Sequence, residues 1–396
     1  MKASHRPQQH RSSRRGFTLI EMMIAVVLVS ILMAAAFMLS RVISQVFSVQ
    51  DQTVDAQGNL KFALDFVSRD VERVGYLATP SAARDPLICP RPTVGFGLEN
   101  LVGIRVVDGG STSAVFNGGS ANNANLAPDV LFLMGSFDAA TTFPVVNVQP
   151  GQPIAFNPTR LAQGLGDTNL EARFNALFSP GRLIKISDPT GVAQLAPITA
   201  RTWNGGNATI DVAGLVQRVD GRGCGIEGIA GEGYEVSVIN VVRYAVEPDP
   251  NDSTKMDLVR TEINPRTGQP LQLDGGNIYA VPVLEYAVDF QVSLDVDSST
   301  FGAPEMTVDT LSGDNQGNIA LAGLAARQDW AKARVANVLL SSRTQREDLS
   351  LQHQPRASVT APVLTFNLDD DPTGSTRVMT LTNSLQLTNL TIRNVK

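Results

Sequence analysis

The sequence predicts an α+β protein: one long N-terminal α-helix, membrane-spanning over its first half, followed by a large antiparallel β-rich globular domain. Three observations predict it. Residues 22–40 contain no charged side chain. From Leu60 onward, apolar residues recur at three- and four-residue spacing up to Val74, the period of a helix with one buried face. After Pro80 the chain turns into short β-branched or alternating runs separated by Gly, Asn, Ser and Pro, the pattern of strands and turns. With 396 residues and 43% apolar content the chain is long enough to bury a real core.

The N-terminal elements come first. Residues 1–16 carry Lys2, Arg6, Arg11, Arg14 and Arg15, together with His5 and His10, and no acid. A helix over residues 17–39 is about 35 Å long at about 1.5 Å per residue, enough to cross about 30 Å of hydrocarbon. Positive charge before this segment and little after it places the N-terminus in the cytoplasm and everything beyond Arg41 outside. Two ordinary export signals compete for the segment: a secretory signal peptide cleaved near Ala34, Ala35 and Ala36, and a twin-arginine signal beginning at Ser13-Arg14-Arg15-Gly16-Phe17. Neither has a use for Glu21, an ionisable group within the apolar run, where it costs insertion free energy and is functional by default.

The string Arg14-Arg15-Gly16-Phe17-Thr18-Leu19-Ile20-Glu21 closely resembles the processing site of type IV prepilins and pseudopilins. The resemblance implies that prepilin peptidase cuts between Gly16 and Phe17, that the new Phe17 amine is methylated, and that Glu21 sets subunit register. In the family picture Glu21 of an incoming subunit pairs with the Phe17 amine of a neighbour, so that each buried charge is offset only in the correct axial register. The chain then divides into a basic leader (1–16), a transmembrane or filament-core half-helix (17–40), an amphipathic second half (41–77) and a β-rich exposed domain (78–396).

In the second half of the helix Leu60, Ala63, Leu64, Val67, Val71 and Val74 form one face, and Lys61, Asp65, Arg69 and Arg73 the other with opposite charges at i, i+4. Proline is absent between Pro7 and Pro80, so one helix over residues 17–76 is expected, with Gly58 a weak point costing roughly 1 kcal/mol relative to Ala. Strands are expected at residues 102–107, 130–134, 183–186, 208–212, 235–246, 256–260, 281–292, 335–340 and 378–392, with a long surface loop over 109–128.

The run 59–76 (NLKFALDFVSRDVERVGY) resembles the end of the helix in PilW-like minor pilins. Later pieces agree in order: Val241 to Tyr244, Leu258 to Arg260, Asp295 to Asp297, Trp330 onward to Arg343, and a Thr-rich terminal strand ending at Arg393 and Asn394. The resemblance implies a minor pilin that takes part in initiating type IV pilus assembly and in the pilus tip complex. Its implied partners are other minor and major pilins through the N-terminal helix, the prepilin peptidase, the inner-membrane assembly platform and a tip adhesin. Its implied location is the bacterial inner membrane as a single-pass protein with the C-terminal domain periplasmic, then the pilus and cell surface. Two alternatives stand beside it: a type II secretion pseudopilin of the same architecture, and an exported binding or carbohydrate-active protein with a conventional signal peptide.

Enzymatic and cofactor readings find little support. Processing would leave His353 as the only histidine, in a polar stretch where a solvated side chain is expected. Gly223, Gly225 and Gly228 fit G-x-G-x-x-G, but a β-branched strand comes next where a dinucleotide site requires a helix. Asp369, Asp370 and Asp371, or Asp295 and Asp297, offer oxygen ligands for Ca²⁺, yet match no calcium-loop spacing. No enzyme activity and no cofactor are therefore expected. The net charge of −6 gives no general reason to expect nucleic acid. Cys89 and Cys224 lie in a domain placed outside the cytoplasm, where one disulfide is expected and two free thiols are the alternative.

Overall fold

The computed structural model describes residues 17–89, 101–109, 123, 126–166, 168–218, 224–227, 233–272, 278–297, 308–311, 329–357, 361–368 and 373–391. The leader with Gly16, most of the 109–128 loop, Gly223, Gly228, Asp369 to Asp371, and Arg393 and Asn394 lie outside them. The chain forms two units, Met1–Val54 and Asp55–Lys396.

Helix α1 (Leu19–Glu72) is a single 54-residue helix. Within the second unit its apolar stripe is buried: Leu60, Ala63, Leu64, Val67, Val71 and, beyond the last turn, Val74. Phe62 and Lys61 on the outer face stay exposed. Gly75, at φ +74°, ends the helix in a left-handed conformation that glycine adopts without strain. The side chain of Asn389, in the four-residue C-terminal helix, donates to the Glu72 carbonyl at 3.0 Å and satisfies one of the orphan acceptors of the last turn.

The strands are taken in chain order. β1 (Ile104–Val107) and β2 (Val130–Gly135) pair antiparallel. A run from β3 (Phe143–Asn147) and β4 (Ile154–Phe156) passes through α2 (Pro158–Leu165) and α3 (Leu170–Leu177) into β5 (Leu183–Ser187), β6 (Ala193–Asn204) and β7 (Asn207–Val212). Two-residue β8 (Gln217–Arg218) and β9 (Ile226–Glu227) form a small parallel pair. β10 (Glu235–Asp249), β11 (Asp252–Glu262) and β12 (Ala280–Leu284) form a meander.

The long β10 serves two structures. Its first residues pair with β3 on one side and with β5 on the other. Since β3, β4, β7, β6 and β5 pair in sequence, the six strands close into a small barrel, which leaves no edge within the ring. The later half of β10 pairs with β2 and β11 instead. The barrel has its own core, in which Phe143, Phe156, Phe174 and Phe178 meet with ring centroids 4.8 to 6.5 Å apart, the spacing that edge and tilted aromatic contacts favour.

A second, six-stranded sheet contains β13 (Ala287–Asp297), β14 (Val308–Leu311), β15 (Ala333–Arg343), β16 (Asp348–Gln352), β17 (Thr365–Phe366) and β18 (Thr373–Gln386). Phe290, Val292, Leu294 and Val296 are buried, and Gln291, Ser293 and Asp295 between them half-buried, the period-two alternation of a sheet with one core face. That face and the inner residues of β1, β2, β10 and β11 share one core with α1.

Polar groups also tie α1 into this core. Asp70 accepts from Tyr244 Oη at 2.6 Å and from Arg260 Nε at 2.7 Å. Burial would lower the Arg260 pKa, but the Asp70 carboxylate reverses this and holds it above its ordinary value. Burial, reinforced by Asp70, raises the Tyr244 hydroxyl well above 10.0, so the phenol remains a donor.

Several expected elements differ. The run expected at 281–292 is two strands, β12 and β13, because Tyr286 turns the chain at φ +55° while its amide donates to Asp257 Oδ1 at 3.2 Å. The strand expected to reach residue 392 ends at Gln386 and gives way to α4 (Thr388–Thr391), where Leu390 is buried against the turn after α1. Helices α2 and α3 lie in a stretch expected to be strand and loop only. Asn157 caps α2, accepting from Arg160 N at 3.2 Å, with Pro158 at its first position, a start signal present in the sequence.

Candidate functional site

The N-terminal junction begins with backbone geometry. Thr18 precedes the first helical residue, and its Oγ1 accepts from Glu21 N at 3.3 Å. Glu21 Oε2 in return accepts from Thr18 N and Thr18 Oγ1, each at 2.9 Å. This reciprocal pair is a capping box. It gives Glu21 a local role that was not expected from the sequence, although Thr-x-x-Glu before an apolar run is its signature. Because Thr18 N belongs to the Phe17–Thr18 peptide bond, cleavage before Phe17 leaves the box intact. Both contacts that Glu21 accepts from Thr18 fall on Oε2, and a carboxylate has acceptor capacity on each oxygen, so the capped Glu21 retains the means to receive an ammonium group.

The surrounding surface is apolar. Phe17 is 85% exposed, and the side chains of Ile20, Met23, Val27, Leu32 and Phe37 are likewise exposed around the helix. Ser30 satisfies its own hydroxyl by donating to Val26 O at 2.7 Å. The helix is long and apolar enough to cross a membrane, with a mean hydropathy of 2.8 in its most apolar window. A helix that is hydrophobic all round suits lipid or the company of other apolar helices.

The family model for a prokaryotic N-terminal methylation motif matches residues 11–37. The motif supports a type IV prepilin-like protein. It spans both sides of the Gly16–Phe17 junction together with Glu21, and with one N-terminal apolar helix it is consistent with a single-pass inner-membrane anchor, with processing by prepilin peptidase and with assembly beside other pilins. No curated protein and no solved structure matches the chain.

The other residues singled out in the sequence lie elsewhere. Cys89 and Cys224 form a disulfide with Cα atoms 4.9 Å apart. Beside it Cys89 N donates to Ala193 O at 2.9 Å and Ala193 N to Leu87 O at 2.7 Å, so the segment after α1 is fastened to β6 of the barrel. His353 is half-buried, with Nδ1 3.3 Å from Thr365 Oγ1, and does not extend into solvent as expected. Asp297 receives Arg334 Nη2 at 3.3 Å and Asp295 receives Asn337 Nδ2 at 3.4 Å, which turns this acidic pair toward its own sheet. Gly225 adopts φ +128° in the segment next to Cys224. Among the described residues no three His, Cys, Asp or Glu side chains gather as a metal site.

Proposed function

We propose that this chain is a PilW-like minor pilin, inserted as a prepilin, cut between Gly16 and Phe17, methylated on Phe17, and used with other minor and major pilins to initiate a type IV pilus and build its tip. The prepilin part of the reading is carried by the junction, a basic stretch ending in Gly16, then Phe17, and Glu21 at the head of an apolar helix; the PilW-like part is supported by the resemblance of the run 59–76. No step in this role requires bond-making by the protein, so we assign no enzyme activity and no cofactor. Loss of the leader removes five of the 32 basic side chains and no acid, leaving 27 against 38, a net of −11. The processed form is therefore markedly acidic.

Mass spectrometry of the mature protein tests the processing step. A methylated Phe17 at the N-terminus is expected, whereas a chain starting just after Ala36 would mean a conventional signal peptide and an exported protein of another class. Glu21→Ala is expected to insert into the membrane normally and to be lost from filaments; normal incorporation would remove its register role. Deletion separates the pilus from a type II secretion pseudopilus: loss of surface fibres and twitching motility supports the former, loss of exoprotein release the latter.

A further inference from the structure

The barrel carries a cleft lined by Arg173, Arg182 and Arg201, where Asp138 and Glu262 already hold Arg182. The second sheet presents a surface with more definite chemistry, the edge of β18.

On one side β18 pairs with β15 from Val378 to Gln386 with no shift of register. On the other side β16 and β17 reach only its first residues, Thr373 to Arg377. Three further bonds fix the direction of its backbone groups. Thr344 N donates to Arg377 O at 2.9 Å and Leu387 N to Arg334 O at 2.8 Å, so the odd-numbered residues of β18 face β15. Val378 N donates to Leu364 O at 3.2 Å, so the even-numbered ones face the opposite lane. An unshifted strand keeps this alternation, which aims the N–H and C=O groups of Thr380, Thr382 and Ser384 away from β15. Among the described residues none bonds to these groups, and all three residues are exposed.

The chain's own strand stops short of them for a reason. Extending the register of β17 along β18 sets Pro362 opposite Thr380, and proline has no N–H to give. Other strands at the ends of the sheets are guarded. β12 contains Pro282, β16 contains Asp348, and β1 and β14 are short, the usual defences against stray pairing. From Val378 to Gln386 (VMTLTNSLQ) β18 has no charge, proline or glycine. A long edge without such defences is a template for strand addition.

The side chains define what fits there. Odd-numbered residues lie on the core face: Asn383 Nδ2 donates to Ser68 Oγ of α1 at 3.1 Å, and Leu385 is buried. Leu381 shares that face but is 39% exposed at the rim. Even-numbered residues lie on the outer face, where Thr380 meets Ser341 and Ser384 donates to Asn337. A strand laid antiparallel in the open lane therefore puts hydroxyl residues beside Thr380, Thr382 and Ser384 and an aliphatic residue beside Leu381, both favourable cross-strand pairings. Two copies of an acidic chain repel each other, which favours a different polypeptide as the occupant.

We propose that β18 takes up an extended segment of a partner polypeptide, alternating threonine or serine with aliphatic residues, as an added antiparallel strand on Thr380, Thr382 and Ser384. The proposal rests on the second sheet alone, so its failure leaves the prepilin reading standing, and the converse holds.

The test is residue-resolved amide hydrogen exchange of the full chain in detergent micelles. In the free protein the Leu381 and Asn383 amides are expected to exchange slowly and those of Thr380, Thr382 and Ser384 fast. The probe is a seven-residue peptide alternating threonine and valine, capped at both ends and N-methylated either on its valines or on its threonines. The valine-methylated form keeps the N–H groups that face β18 and is expected to slow the three fast amides at least about tenfold, the effect of filling about nine-tenths of the sites. The threonine-methylated form, equal in size and composition, is expected to leave them unchanged. Thr382→Pro removes a donor that no bond in the fold uses, and Leu381→Lys places a charge at the rim. Each is expected to abolish the protection, with slow exchange at Leu385 showing that the sheet is still formed. Slow exchange of the three amides in the dilute chain alone, or protection that grows with protein concentration without peptide, the mark of a second copy, would overturn the proposal. So would equal protection by both probes, none by either, or undiminished protection in the Leu381→Lys protein.

Discussion

The two halves of α1 are one continuous helix with opposite fates. In the first, Ile20 and Leu32 are 65% and 68% exposed; in the second, Leu60 and Val67 are 1% and 0% exposed. Both sets are aliphatic residues in the same secondary structure, so helix propensity does not separate them. Angular distribution does. Residues 22–40 are uncharged on every side and have no polar face to turn toward water, whereas Lys61, Asp65 and Arg69 confine the apolar stripe of the second half to one side. An identical backbone is therefore apolar on every side and able to cross a membrane at one end, and a structural member of a core at the other.

The sharpest way to break this contrast is at Asp70. Asp70→Ala leaves Arg260, 7% exposed, as a buried charge without its carboxylate, and a loss of about 3–5 kcal/mol in unfolding free energy is expected; a denaturant midpoint within error of wild type would show the ion pair to be dispensable. Next come paired truncations. Leu60→Ala is expected to cost about 2–5 kcal/mol, read by thermal or urea unfolding, while Leu32→Ala leaves that transition unmoved and weakens only membrane retention or filament incorporation. Equal shifts from both would erase the distinction between the halves.

A smaller, pH-dependent effect is expected at Asp129, which links β2 to β13 by accepting from Gly109 N at 3.1 Å and Val292 N at 2.9 Å. Burial pushes its pKa up from 3.8 to about 7, against the effect of these two amides. The folded protein therefore keeps a proton that the unfolded chain has released. Its contribution to stability is fully present below pH about 4 and declines toward pH 7, by up to about 1.4 kcal/mol per pH unit. Asp129→Asn should flatten the stability profile across that window, and an unchanged slope would assign the pH dependence to other groups. The smallest effect belongs to the capping box: Thr18→Ala is expected to fray the first turn at a cost of about 1 kcal/mol, seen as faster amide exchange at Leu19 to Glu21, with the globular transition unmoved.

Much of the architecture was legible locally. The stripe from Leu60 to Val74 and the alternation in β13 are period signals, and each names its own buried face. The prepilin-type motif was legible because its residues lie within eight consecutive positions. The strand boundaries at Tyr286 and Gln386 were not, because a positive-φ turn at a non-glycine residue and a helix of four residues leave no composition signal. Nor were α2 and α3, despite Asn157-Pro158, since their apolar positions are short and their partner phenylalanines come from other strands.

The barrel and its cleft lay furthest from view. The arginines at 173, 182 and 201 look like scattered surface charges in the chain, and Glu262, which neutralises Arg182, is 80 residues away from it. Sequence by itself determined the helix, the uncharged span, the placement of Glu21 and the β-rich character of the chain beyond Pro80, because these depend on periodicity and charge within one or two turns. Only the tertiary structure decided that β10 would close a barrel with one half and complete a sheet with the other, and that Arg173 and Arg201 would face one cavity. Strand pairing is chosen by side-chain packing between segments tens to hundreds of residues apart, and that choice leaves no local trace in the residues it brings together.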